Sequence, residues 1–121
     1  SLLIELKMSL VTVGKNITGP SETVVYTVPN GYVAVWNLMY VHNSIGSTKT
    51  LTVDWYDSST DTHVSILQAR SFSSKEYFQF SGQGSGVVLM EGDEVHMTPE
   101  SGATFGIICT FDLQRAINNG N

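Results

Sequence analysis

The sequence predicts an all-β protein: a single-domain antiparallel β-sandwich, jelly-roll-like, of about eight or nine strands. Three observations carry this. Segment after segment shows the two-residue alternation of a half-buried strand. Clusters of Gly, Pro, Asn and Ser punctuate the chain at intervals of about ten residues. No stretch holds an apolar helical period long enough to compete.

The elements follow in order. In "LLIELKMSLVTV", Ile4, Leu6, Met8 and Leu10 alternate with Glu5, Lys7 and Ser9, so residues 1–13 read as an N-terminal arm or an edge strand. "KNITGPSE" breaks the chain at Gly19-Pro20, and "TVVYTV" resumes it with β-branched and aromatic residues. The Asn-Gly of "PNG" suits a tight hairpin joining Val28 to Tyr32. The strand after it is apolar on both sides. Tyr32, Ala34, Trp36, Leu38 and Tyr40 share one face by alternation, and Val33, Val35, Met39 and Val41 share the other. Either a second molecule or an overlying segment of the same chain has to cover one of them.

"TLTVDWY" points Leu51, Val53 and Trp55 inward and Thr52, Asp54 and Tyr56 outward. After the turn "DSSTD" come "THVSILQA" and the aromatic-rich "SFSSKEYFQF"; "SGQGSG" reads as a flexible connection. "VVLM" and "EVHMTP" flank a tight turn, "EGDE". "ATFGIICTFDL" closes the fold with Phe105, Ile107, Cys109, Phe111 and Leu113 on one face, and residues 114–121 form a C-terminal tail.

Composition narrows the function. Among 121 residues 41% are hydrophobic and 14% charged, which suits a globular core and argues against disorder. Six Lys and Arg against eleven Asp and Glu leave a net charge of -5, so nothing draws the molecule toward nucleic acid or anionic lipid. The apolar runs Val33 to Tyr40 and Gly86 to Met90 fall far short of the roughly 20 residues that cross a bilayer. No segment has the order of a signal peptide, and the expectation is a protein made in a cytoplasm.

Candidate chemistry is sparse. His42, His63 and His96 stand far apart without metal-ligand spacing, and no metal or cofactor site is expected. Asp54, Asp57 and Asp61 lack the ordered spacing of a calcium loop, so a polar turn is the better reading. Glu91, Asp93 and Glu94 read as solvated turn acids. "SGQGSG" lacks the Lys-Ser/Thr ending of a phosphate loop, and "NIT" at Asn16 is a sequon short enough to arise by chance. The single cysteine, Cys109, lies in an apolar run, as a buried inert thiol would. No catalytic residue is expected. The aromatic residues, Trp36 and Trp55 foremost, could stack on sugars, which makes a carbohydrate-binding module the alternative to a structural role.

"VVYTVPNGYVAVWNLMYVHNS", "TLTVDWYD" and "MEGDEVHMTPESGATFGIICTFDL" together resemble small structural proteins of tailed-bacteriophage virions, over Val24 to Leu113. The segment Ser1 to Val13 departs from that pattern. The resemblance implies a β-sandwich without enzymatic activity, located in the virion: a capsid cement or decoration protein, or a neck, tail or fibre component. Its partners would be copies of itself and other virion proteins. The interface expected on this reading is Tyr32, Trp36, Tyr40 and Tyr56, with the termini as docking arms.

Overall fold

The computed structural model describes residues 9–82 and 86–116. They form nine strands: β1 (Ser9–Thr18), β2 (Thr23–Thr27), β3 (Tyr32–Asn43), β4 (Lys49–Asp57), β5 (Thr62–Phe72), β6 (Tyr77–Ser81), β7 (Val87–Leu89), β8 (Glu94–Pro99) and β9 (Thr104–Arg115). One sheet has the order β1-β9-β3-β6, with β7 also on β3; the other has the order β2-β8-β4-β5. All strand pairings are antiparallel. Counting β6 and β7 as two halves of one edge strand, this is the eight-stranded double Greek key of a jelly roll, as expected from the sequence. Residues 1–8, 83–85 and 117–121, which include most of the predicted N-terminal arm and C-terminal tail, lie outside the described residues.

Only β4 and β5 are sequence neighbours that pair with each other. The "PNG" segment is therefore no hairpin: β2 and β3 lie in different sheets, and the turn is an arch between layers. Tyr32 N–H donates to Pro29 O at 3.2 Å, and of the Asn-Gly pair only Gly31 has positive φ, at 84°. That is a type II turn, which lacks the twist a two-residue hairpin demands. The same device recurs twice. Asp93 N–H donates to Met90 O with Gly92 at φ 84°, and Ala103 N–H to Glu100 O with Gly102 at φ 82°. Each of these also carries the chain from one sheet to the other, so "EGDE" is an arch as well.

The strand β3 contains the main departure from simple alternation. Its register against β9 shifts between Trp36↔Phe111 and Leu38↔Thr110, so Asn37 is an extra residue, a β-bulge. Beyond it the parity of the strand reverses. Ala34, Trp36, Met39, Val41 and Asn43 are all buried, whereas Leu38 and Tyr40 point outward. The apparent two-sided hydrophobicity is thus largely one inward face whose phase changes midway. The β6/β7 edge breaks at the same level: Ser81 pairs with Leu38 and Val87 with Trp36, and Gly82 N–H donates to Asn37 O at 2.7 Å. "SGQGSG" joins β6 to β7, its residues 83–85 lying outside the described ones.

Between the layers lie Trp36, Phe72, Phe105, Phe111 and Met39, all fully buried, with Leu51, Val53, Val95 and Met97 from the second sheet. The predicted inward set of β9 is the observed one. Trp36 stacks on Phe111 at 6.0 Å and Phe111 on Tyr26 at 4.4 Å, so aromatic rings tie the centre of one sheet to the edge of the other. β1 runs through Lys15–Thr18, paired residue for residue with β9 as far as Thr18↔Thr104, and stops at the expected break, Gly19-Pro20.

Two buried polar side chains anchor the ends of the sandwich. At one end Asp93, 1% exposed, accepts from Trp55 Nε1 (3.1 Å), Met90 N (2.9 Å), Ser58 N (3.0 Å) and Ser58 Oγ (3.2 Å). This carboxylate, expected in solvent, is buried because the reversals after β4 and β7 both aim backbone donors at it and those donors need an acceptor. At the other end Asn43, fully buried, donates through Nδ2 to the carbonyls of Ser47, Phe72 and Ser73 and accepts from Ile45 N.

Candidate functional site: the outer faces of the two sheets

Apart from an apolar cavity of about 220 Å³ between the sheets, bounded by Phe78 and Phe80 on one side and Ile66 and Leu67 on the other, surface chemistry is carried by the two outward faces. On the β1-β9-β3-β6/β7 sheet the registers place outward residues in rows. Leu10, Asp112, Val35 and Val88 form one; Thr12, Thr110, Leu38 and Ser81 the next. Gly14, Ile108, Tyr40 and Gln79 follow, and then Asn16, Gly106, His42 and Tyr77. Leu10, Tyr77, Val88 and Ile108 are exposed; Val35, Leu38 and Tyr40 are half-buried. Gly14 and Gly106 lack side chains, leaving a depression of about 360 Å³ flanked by Tyr40, His42, Asn16 and Ile108. The face is broad, rich in apolar side chains and nearly free of charge.

The outward face of the β2-β8-β4-β5 sheet has the opposite character. Its rows are His96, Asp54 and Ser65, and Glu94, Tyr56 and His63. Asp54 accepts from Ser65 Oγ at 2.9 Å. Tyr56 lies over both imidazoles, 5.5 Å from the His96 ring and 4.9 Å from that of His63, and its hydroxyl donates to Asp61 at 2.8 Å. That bond to Asp61 pushes the Tyr56 hydroxyl above its ordinary pKa, with desolvation adding in the same direction. His63 and His96, 33 positions apart in the chain, have ring centroids 5.2 Å apart. Sequence spacing could not reveal this, because the proximity is made by β4 lying between their strands.

The four residues expected at an interface do not form one patch. Tyr40 sits on the apolar outer face, stacked on Tyr77 at 5.6 Å, and Tyr56 on the opposite, acidic one. Tyr32 packs against the core at the end of β3, with the Arg115 guanidinium 5.8 Å from its ring. Trp36 is wholly enclosed and is not available to a neighbour; its indole N–H donates to Leu38 O across the bulge at 3.1 Å. Alternation alone had put Trp36 on the side of Tyr40.

No protein-family model matches the chain, and no curated protein sequence matches it. Among solved structures, a chain of the Bacillus endospore appendages, which form disulfide-linked pili, is 13% identical with a TM-score of 0.52 over 97% of both chains. The likeness is one of fold. A cyanophage Pam1 capsid chain, 16% identical at TM-score 0.43, covers 87% of this chain and 84% of its own. The globular domain of zebrafish complement 1qA, also 16% identical, reaches 0.41 over 91% and 98%.

The remaining candidate groups resolve into local structure. Asp57 accepts from Ser59 N, Ser59 Oγ and Thr60 Oγ1, and the Ser59 hydroxyl above all holds its carboxyl below the usual carboxylate range. Asp54, Asp57 and Asp61 each have different partners rather than a common centre. Glu91 accepts from Gly31 N at 2.8 Å, tying two arches together. Trp55 is half-buried with its N–H committed to Asp93, so neither tryptophan stands as a free platform for a sugar ring. Burial pushes the Cys109 thiol up to about 12 against a smaller pull from Trp36, which leaves it protonated and unreactive.

Proposed function

We propose that this protein is a non-enzymatic structural subunit of a virion, a cement or decoration protein that clamps neighbouring shell subunits through the outer face of its β1-β9-β3-β6/β7 sheet. The observation that carries this reading is the apolar row system on that face: Leu10, Val88, Ile108 and Tyr77 exposed, with Val35, Leu38 and Tyr40 between them. A large sheet face of low charge, with Asp112 in one row and Lys15 bordering the depression beside Tyr40 and His42, suits a dry-centred protein contact, and each buried apolar side chain there adds about 1.5–3 kcal/mol. The acidic opposite face would stay in solvent and keep the assembled surface soluble. The contact is non-covalent, because the single cysteine is enclosed. Repetition by symmetry turns modest contacts into a durable lattice. The residue pattern shared with tailed-phage structural proteins supports the virion location.

Sedimentation of the purified chain over a range of concentrations, and cosedimentation with assembled phage shells, test the proposal. Self-association or shell binding is expected, lost in Ile108→Lys and Val88→Lys and retained in Val64→Lys on the other sheet. A chain that stays monomeric at millimolar concentration and ignores shells would refute it, as would association indifferent to those substitutions.

A further inference from the structure

Glu22, in the link before β2, His63 on β5 and His96 on β8 each present one ligand atom to a common point; the three atoms lie within 4.8 Å of one another. His96 is the informative member. Its side chain is 8% exposed, and its Nε2 is held by Glu94 Oε1 at 2.6 Å. Its Nδ1 is buried without a hydrogen-bond partner and faces Glu22 Oε2 at 3.4 Å. With the proton on Nε2 for Glu94, the Nδ1 lone pair confronts a carboxylate oxygen. Two acceptors set face to face call for a cation between them. A proton alone would satisfy that pair, but it would leave unexplained why a second imidazole, His63, converges on the same point.

We propose that Glu22, His63 and His96 form a site for a divalent first-row transition metal of the zinc class. Two imidazole nitrogens and one carboxylate oxygen select such an ion over calcium or magnesium, which take oxygen ligands. Asp54 lies 3.8 Å from His63 Nδ1, beyond hydrogen-bond reach, whereas His96 has a carboxylate directly behind it in Glu94, at 2.6 Å. That arrangement orients a histidine ligand and raises its basicity. Tyr56 stacks on the His96 ring and packs at a tilt against that of His63, which restricts their rotation. The Glu22–His96 pair is already 3.4 Å apart and no separation exceeds 4.8 Å, so zinc bonds of ~2.0–2.1 Å require only a modest closure of the wider separations. Glu22 and His63 are 47% and 46% exposed and free to make that movement, whereas His96 is fixed. The ion would staple β5 to β8 across β4 and secure the link before β2. Its fourth position would hold water or a donor from an adjoining molecule.

The test is titration of the metal-stripped chain with Co²⁺ and then Zn²⁺. One Co²⁺ per chain, with the visible absorption of a tetrahedral nitrogen–oxygen site, should be displaced by one Zn²⁺, and Zn²⁺ should raise the melting temperature. His63→Ala and Glu22→Gln, at exposed positions, should melt as the parent does without metal and bind at least tenfold more weakly. Glu94→Gln should weaken binding about tenfold or more while leaving all three ligands in place, and His42→Ala, on the other sheet, should bind as the parent. Absence of saturable one-to-one uptake at micromolar metal would overturn the site. Uptake unchanged in both His63→Ala and Glu22→Gln would overturn it equally.

Discussion

The Trp55 indole nitrogen donates to the buried carboxylate of Asp93 at 3.1 Å, joining a strand of one sheet to the arch that arrives from the other. Each Asp93 oxygen accepts two bonds: Oδ2 from Trp55 Nε1 and Met90 N, Oδ1 from Ser58 N and Ser58 Oγ. The backbone of Asp93 also accepts from Val28 N at 2.9 Å. One residue therefore fixes the reversals after β2, β4 and β7.

Asp93→Asn should lower stability by about 2–4 kcal/mol, because whichever way the amide turns, its NH₂ meets two donors. Asp93→Ala should cost as much or more by leaving those donors unpaired. Urea denaturation of both variants, with near-ultraviolet dichroism reporting Trp55, measures the effect.

Asn43 is the converse case, an amide facing three carbonyls. Asn43→Asp should destabilise by about 3–5 kcal/mol at neutral pH, since one buried carboxylate oxygen would keep the Ile45 N–H while the other confronts three carbonyls. Below about pH 4 the protonated acid regains one donor. Part of the loss should then return relative to the parent at the same pH, and thermal melts at both pH values check this.

Insertion of a second residue beside Asn37 should be far more damaging than removal of Asn37. Deletion leaves Ala34, Trp36, Met39, Val41 and Asn43 alternating on one inward face, whereas an insertion turns Met39, Val41 and Asn43 toward solvent while Ala34 and Trp36 stay inside. Asn37→Ala keeps the bulge and should cost no more than about 1 kcal/mol. Should the insertion variant melt cooperatively near the parent temperature, the parity argument would be wrong.

Alkaline pH should weaken the fold through Cys109. Its thiol is pushed up to about 12, so the unfolded chain releases this proton at lower pH than the folded one. The contribution is fully present below the ordinary thiol pKa and is lost as pH rises from there toward about 12, at about 1.4 kcal/mol per pH unit. The Tyr26 hydroxyl, raised by burial, acts in the same sense at higher pH. Cys109→Ala should show a shallower decline between pH 9 and 10 than the parent. In the native parent the thiol should resist labelling that proceeds at once in denaturant.

The layered architecture was legible because it rests on local chemistry. Alternation in β9 predicted its whole inward set, and β4 likewise showed Leu51, Val53 and Trp55 inward. The failures share a cause: a period-two pattern counts residues and cannot see an inserted one. At Asn37 that hid the phase change, placing Trp36 with Tyr40 and making a buried residue look like an interface residue. The Asn-Gly pair misled in another way, since turn residues specify a reversal but not which sheet the chain re-enters. The His63–His96 pairing and the burial of Asp93 depend on strand order across the sheet, which no local window contains.

The pairing of Ser9 with Leu113 places the start of β1 beside the end of β9. Tension drawn through those two positions would peel the outermost ribbon away bond by bond, a weak geometry compared with sliding all its bonds at once. Load carried sideways through the broad flat of the molecule would spare that β1-β9 seam.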